Sequence, residues 1–596
     1  MALVRRYPDL FALALLLAGF VLLAALTWRT WGNPQIDAGV ELTTAERVAQ
    51  GELPYADIRY FYGPLGLYAL VLAFKLFGAS LATAYGFGFA QALAIVIVFF
   101  VLARQWLRPA VALLASAVVL AIAFAGNLFS FVLPHTNSAT FGLLFLLLEL
   151  LALARGRAVL GGLAAGCVAL TRPEFAAAAV VAAAGFLLGT YRENGWRATG
   201  RACARVAISA LAIAGPVLAF FAAKAGLSRL AFENLVPIDF VRVSGLSFMS
   251  DWAPFTPASF VALAGRACVY VTLLGALVAA CVRWSRAGGP AARMRALWPL
   301  AAGCFGLVVV AVALKFTGAF PGSRGAVQTE VRHLMIGISW LPALAIALTL
   351  VAVRHAMQRD PGPLSGRWPA DLALIGAALV LGLRAYNDFT PEIYAAYYAA
   401  PLVLLAGILH QRLADRWPRA RLAVLGALGL VAAAMAYVAL TGAAADETRL
   451  VRTPRGTFMA EPERGRALER AITVVRARTR QGDFVLGLPL EGGLPFLTDR
   501  RPALYDIQLL PGSLDSRKDE RAAIRRLEQE RVRVVVEGNS RFDQWGYPVF
   551  GRDFNRLLHA YIERGYRLIA ELGDFEGSAR VARTDGARAY RIWERR

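Results

Sequence analysis

This sequence is short of charge and short of catalytic signatures. Only 17% of its 596 residues are Asp, Glu, Lys or Arg. The five cysteines, Cys167, Cys203, Cys268, Cys281 and Cys304, lie in or beside apolar segments without paired spacing, which argues against a zinc or redox motif and against a disulfide framework. No Walker loop, H-E-x-x-H or G-x-S-x-G occurs. The nearest approach to a dinucleotide loop, "GFGFAQ", lacks the final glycine and sits in an apolar run, where it reads as helix packing. There is no low-complexity tract and no internal repeat. Ionisable residues and Gly/Pro interruptions inside apolar runs, the usual marks of a transporter, are few.

What the chain has in quantity is hydrophobic residues, at 58%. Apolar runs of about twenty residues, the length a bilayer crossing needs, fall near 10–30, 79–103, 110–126, 138–154, 158–170, 175–190, 206–223, 259–282, 297–316, 334–353, 372–385, 397–411 and 422–441. They predict a polytopic α-helical membrane protein with about thirteen crossings. The first run follows Arg5 and Arg6 but is longer than a signal-peptide core and has no clear cleavage site, so it reads as a retained signal anchor.

The net charge of +22 does not call for a nucleic-acid partner, because much of the Lys and Arg lies in alternate short loops. These are the loops holding Arg5/Arg6, Arg104/Arg108, Arg155/Arg157, Arg192–Arg205, Arg283–Arg295, Arg354–Arg367 and Arg412–Arg421. By the positive-inside rule they are cytoplasmic. The opposite loops carry most of the membrane-region acids, including Glu174, Glu233, Asp251, Glu330 and Asp388. The expected topology in the cytoplasmic membrane therefore has the N-terminus inside, with everything after residue 441 outside. In that tail, strand-like pieces at 483–489, 532–538 and 588–595 alternate with helical patterns from 462 and 515. The expected organisation is a membrane domain over 1–441, with a first outer loop at 31–78, and an extracytoplasmic α/β domain over 442–596.

That first outer loop gathers Asp37, Glu41, Glu46, Glu52 and Asp57, either as loop solvation or as a catalytic edge. Its pattern, an Asp soon after the first membrane helix, then "AERVAQG" and "PYADIRYFYGPLGLY", resembles the first outer loop of the GT-C superfamily of membrane glycosyltransferases. The superfamily includes the protein O-mannosyltransferases and the bacterial enzymes that move sugars from polyprenyl phosphate to lipid A or surface glycans. "GLAAGCVALTRPE", "RHLMIGISWLPAL" and "YYAAPLVLLAGIL" resemble its Gly-rich and late helices, so the likeness spans essentially the whole chain. Two departures stand out. Ala38 follows Asp37 where many members carry an acidic pair, and the tryptophan-rich signature of oligosaccharyltransferases is missing, "SDWAPF" around Asp251 being a faint echo.

The resemblance implies a membrane glycosyltransferase moving one sugar, a hexose or a pentose, from a polyprenyl-phosphate donor. The acceptor would be a lipid, glycan or protein on the outer side. A lipid or glycan flippase, or a cell-envelope scaffold without catalysis, is the alternative. No cofactor beyond the lipid-linked sugar is implied with certainty, a divalent cation stays open, and no resident metal site is named.

An attacking hydroxyl must lose its proton to a base as the glycosidic bond forms. On spacing alone Asp37 reads as an N-cap of the helical pattern that follows; the resemblance makes it the general base. Glu41, one turn on, either shares that work or solvates the helix. Tyr55 and Asp57 either line the acceptor cleft or stiffen the loop. The leaving lipid phosphate calls for cations at the outer surface, for which Lys315, Arg332 and Arg384 stand at the outer ends of late helices, snorkelling to headgroups being the alternative. Arg172 pairs with Glu174 to fix a turn. His135, beside Asn137, binds a sugar hydroxyl or a metal, or serves as a structural hydrogen-bonder. Tyr60, Phe61, Tyr62, Tyr386, Tyr394, Tyr397 and Tyr398 offer sugar-stacking surface or are interface aromatics.

Overall fold

The computed structural model describes residues 7–125, 128–235, 256–298, 337–358, 360–387, 389–391, 393–442, 447–543, 546–578 and 587–596. It is mostly helical. Among the described residues seven helices are long and apolar enough to cross a membrane and three more are apolar but shorter. Proline opens several of them, at Pro8, Pro64, Pro173 and Pro257, where its missing N–H leaves no bond unmade and its fixed φ suits the first turn. The predicted spans 175–190 and 206–223 lie in one helical stretch, Pro173–Ala225, broken at Gly195 with φ of 73°. A left-handed residue there turns the chain, among the arginines that the sequence places in a cytoplasmic loop. The predicted span 297–316 lies almost wholly outside the described residues.

The segment 31–78, read from the sequence as the first outer loop, is itself folded. It contains an amphipathic helix, Asp37–Ala49, and an apolar one, Pro64–Phe77, whose 14 residues are too few to cross a bilayer.

In the tail a hairpin of β1 (Arg449–Thr453) and β2 (Gly456–Ala460) precedes a five-stranded mixed sheet. The sheet is built from β3 (Phe484–Leu488), β4 (Arg501–Pro502), β5 (Val534–Gly538), β6 (Tyr566–Leu572) and β7 (Tyr590–Arg595), in the order β4-β3-β5-β7-β6. β3 runs parallel to β4 and β5, while β7 pairs antiparallel with β5 and β6. β5, "VVVEG", lies between β3 and β7 and is buried along its whole length, as its three consecutive valines suit a central strand. Helices Pro462–Arg478 and Arg517–Gln529 stand where the sequence places helical patterns.

The tail docks on the first outer loop through backbone and polar contacts. Gly39 and Gly493 meet so closely that a Cβ on Gly39 would lie 2.4 Å from the Gly493 Cα, and one on Gly493 would lie 1.8 Å from the Pro34 carbonyl oxygen. Thr43 donates to the Gly492 carbonyl at 2.8 Å, Arg47 to the Leu504 carbonyl at 2.9 Å, and the Arg59 amide to the Tyr505 carbonyl at 3.0 Å. Gln35 Nε2 reaches the Glu491 carboxylate at 3.3 Å and the Tyr590 hydroxyl at 2.8 Å.

Candidate active site

The acidic run of the first outer loop splits into structural and cleft-facing residues. Glu46 pairs with Arg455, which also holds Asp499 at 2.7 Å. Glu52 pairs with Arg47, whose Nε lies at 2.8 Å. Asp57, exposed, accepts from the Leu53 amide at 2.9 Å and ties the turn. Asp37 and Glu41 remain, and they face a cleft of about 450 Å³, counting space open to solvent. Its walls come from both parts of the chain. The loop supplies Asp37, Glu41, Arg59, Tyr60 and Tyr62; His135 comes from the segment before the Asn137–Ala154 helix; Asp506, Ile507 and Gln508 come from the tail.

Asp37 is the first residue of its helix, Ile36 holding the N-cap position without a side-chain cap. Among the described residues no backbone amide bonds to the Asp37 carboxylate, so the capping role allowed by the spacing is not taken up. Instead Oδ2 lies 3.2 Å from His135 Nδ1, with the aspartate side chain 22% exposed and the histidine 11%. This is an ion-pair distance without the alignment of a good hydrogen bond; contacts in active sites without substrate are commonly loose in this way.

The far side of His135 is clamped. Its Nε2 lies 3.0 Å from the Tyr62 hydroxyl and 2.8 Å from that of Tyr394, and its backbone amide donates to the Tyr397 hydroxyl at 3.0 Å. The Arg172 guanidinium sits over both tyrosine rings, 5.1 Å from the centroid of Tyr62 and 4.8 Å from that of Tyr394, close enough for cation–π attraction. Arg172 is anchored to Glu174 at 2.8 Å, and Glu174 accepts from the Tyr398 hydroxyl at 2.6 Å.

Glu41 lies deeper, 3% exposed. One oxygen, Oε1, accepts from the Tyr60 hydroxyl at 3.0 Å and from Thr136; Oε2 is buried with no partner among the described residues. Burial raises its pKa above the ordinary carboxyl value despite those donors, because desolvation penalises the charged form. One turn apart, the helix thus carries a carboxylate open to the cleft and a buried carboxyl that favours its proton.

Several expected site residues stand elsewhere. Tyr55 is wholly buried with φ of 70° and donates to the Tyr62 carbonyl at 2.6 Å. With Asp57 it shapes the loop, and neither lines the cleft. Asn137, also off the cleft lining, accepts from Gln91 at 3.2 Å inside the helix bundle. Arg384 ends its helix within electrostatic reach of Glu174. Lys315 and Arg332 lie outside the described residues. Arg59, Asp506 and Gln508 carry no motif that marks them in the sequence, and Tyr394, read there as sugar-stacking surface or an interface aromatic, stands against His135. Arg172 does stand in "TRPE" and makes the expected pair with Glu174, but its stacking on two tyrosines joins chain segments far apart in sequence. Among the described residues no group of three or more His, Cys, Asp or Glu side chains converges as a metal site would.

No protein-family model matches the chain, and no characterised protein matches it by sequence. Similarity appears at the level of structure. The archaeal oligosaccharyltransferase AglB from Archaeoglobus fulgidus, solved with an inhibitory peptide and a dolichol-phosphate, superposes with a TM-score of 0.51 at 12% identity, over 95% of this chain and 73% of its own. The Archaeoglobus fulgidus oligosaccharyltransferase in its apo form gives 0.50 at 13% identity, over 90% and 70%. ArnT from Cupriavidus metallidurans bound to undecaprenyl phosphate aligns over 97% of both chains at 15% identity, with a TM-score of 0.44. The fold is shared with these oligosaccharyltransferases, as the resemblance of the loop and late helices leads one to expect, and the described helices include seven long and apolar enough to cross a membrane, as in a multi-pass membrane protein.

Proposed function

We propose that this protein is a membrane glycosyltransferase that moves a single sugar from a polyprenyl-phosphate donor to a hydroxyl acceptor on the outer side of the cytoplasmic membrane. The observation that carries this reading is the placement of Asp37: a carboxylate at a helix start, unused for capping, partly exposed in a cleft and held by an imidazole. The GT-C fold supports it, and a fold neighbour was solved with a dolichol-phosphate.

In this reading the acceptor oxygen attacks the anomeric carbon, Asp37 takes its proton, and the bond from that carbon to the donor phosphate oxygen breaks, releasing polyprenyl phosphate. Glu41, deeper and accepting from Tyr60 and Thr136, either shares the work of the base or stiffens the helix. Arg384, with Lys315 and Arg332, supplies cations for the departing phosphate. Residues 442–596 form an outer α/β domain over the loop at 31–78, so that Asp506 and Gln508 complete the acceptor side.

The test is direct. The purified protein is incubated with undecaprenyl-phosphate mannose, glucose and arabinofuranose and a lipid and glycan extract as acceptor. Release of undecaprenyl phosphate from at least one donor, with label moving to the acceptor, is the expected result. Intact donors throughout, with a protein that remains folded, would contradict the reading and favour the flippase or scaffold alternative.

A further inference from the structure

We infer that His135 is the positioning residue of the base: its Nδ1–H holds the Asp37 carboxylate toward the acceptor, with Tyr62 and Tyr394 fixing the imidazole from behind. The inference deepens the proposed transferase function and rests on it for its kinetic consequence, but its structural core is testable without turnover.

Nδ1 lies 3.2 Å from Asp37 Oδ2 without hydrogen-bond alignment in this structure; because a carboxylate can only accept, we place the hydrogen on Nδ1, where closing of this contact makes the bond. Nε2 of a neutral ring is then an acceptor with one lone pair. Two tyrosine hydroxyls converge on it, at 2.8 and 3.0 Å, so at most one of them donates there at a time. The ring cannot easily swing away. Phe129 stacks on it with centroids 5.8 Å apart and an interplanar angle of 26°, Tyr394 meets it edge-on at 5.1 Å, and its backbone amide is tied to Tyr397. Arg172 beneath both phenol rings holds the clamp in place. A histidine built only to bind sugar would present a nitrogen to the cleft; here one nitrogen faces the aspartate and the other faces two tyrosines. With Oδ2 engaged, Oδ1 is left for the acceptor hydroxyl. A base locked in one orientation need not be ordered at the moment of reaction, which is the advantage of a fixed carboxylate.

Asparagine and glutamine separate this role from the alternatives, because the Asn amide stands near the position of Nδ1 and the Gln amide near that of Nε2. His135→Asn keeps a donor toward Asp37 and should retain most turnover. His135→Gln keeps a group facing the tyrosines but loses the donor, and kcat should fall roughly ten- to a hundredfold, the worth of one hydrogen bond to a charged group. KM for the undecaprenyl-phosphate sugar should stay unchanged in both. Equal activity of the two variants, or a loss confined to KM, would overturn the positioning role. Independently of activity, nitrogen-15 spectra of the histidine side chains of the full-length protein should show His135 with hydrogen on Nδ1, and replacing Asp37 by Ala should move that resonance. A wild-type ring protonated on Nε2 alone, or a resonance indifferent to Asp37→Ala, would overturn the inference even if the protein transfers sugar. Absence of transfer by the parent protein with the spectra as expected would overturn the transferase reading and leave the Asp37–His135 arrangement standing.

Discussion

Asp37 and Glu41 are both acidic, both on one face of a 13-residue helix, and differ in what surrounds them. Burial raises the Glu41 pKa, so the neutral amide of Glu41→Gln, which keeps an acceptor oxygen for Tyr60 and Thr136, should cost little stability, less than about 1 kcal/mol in thermal unfolding in detergent. Glu41→Ala instead strips Tyr60 and Thr136 of their acceptor and should cost about 1–3 kcal/mol for each orphaned hydroxyl. If Glu41→Gln abolished transfer while Asp37→Asn did not, the base would be Glu41. The Arg172–Glu174 pair makes a second prediction. Both side chains are nearly buried, so Arg172→Met alone leaves an uncompensated acid and should destabilise by about 3–5 kcal/mol. Adding Glu174→Gln should recover part of that loss, and an additive loss on denaturation would show that the two do not act as a pair. At this scale the sequence was partly legible. Spacing alone read Asp37 as a helix cap, and the resemblance of its loop to the GT-C first outer loop singled it out as the base. Its partner stands 98 positions away, in "LPHTNSAT", and nothing in local spacing joins the two.

Elements decide which residues can meet. The apolar runs and their opening prolines made most helices legible, because a twenty-residue apolar stretch in lipid has little choice but to satisfy its backbone internally. The tail strands were legible too, "VRVVVEG" by its β-branched run and "RAYRIWER" by alternation. The 64–77 helix was not, being apolar yet short of a span and hidden in what reads as a loop. Nor were Asp506 and Gln508, which enter the cleft from a segment without regular pattern, placed there by the docking of the tail on the Asp37–Ala49 helix. That docking contains a titratable group. Glu491, fully buried between Gln35 and Tyr590, is pushed up to about 8 by desolvation. Its folded pKa is raised, so its contribution to stability is fully present below the unfolded value of about 4.5 and declines as pH rises toward 8, by up to about 1.4 kcal/mol per pH unit. Melting followed between pH 5 and 8 should fall more steeply for the parent than for Glu491→Gln. Parallel curves would mean that Glu491 does not titrate in that window.

For the whole molecule, the central question is which face of the membrane carries the cleft. By the positive-inside rule the arginine-rich loops are expected to place the N-terminus inside and the tail outside, and the break at Gly195 falls among Arg192, Arg197, Arg201 and Arg205, on the side this expectation makes cytoplasmic. A reporter active only in the cytoplasm, fused after Arg596, should therefore be silent, while one active only outside should work; the opposite pair of results would turn the cleft inward and remove access to an outer acceptor. The account as a whole stands on the Asp37 carboxylate, and Asp37→Asn probes it most directly, since the amide keeps the shape but cannot take a proton. Transfer from the undecaprenyl-phosphate sugar that the parent uses should fall by about 10²–10⁴, as for the loss of a general base, with the melting temperature unchanged. Transfer by Asp37→Asn at near the parent rate would contradict it.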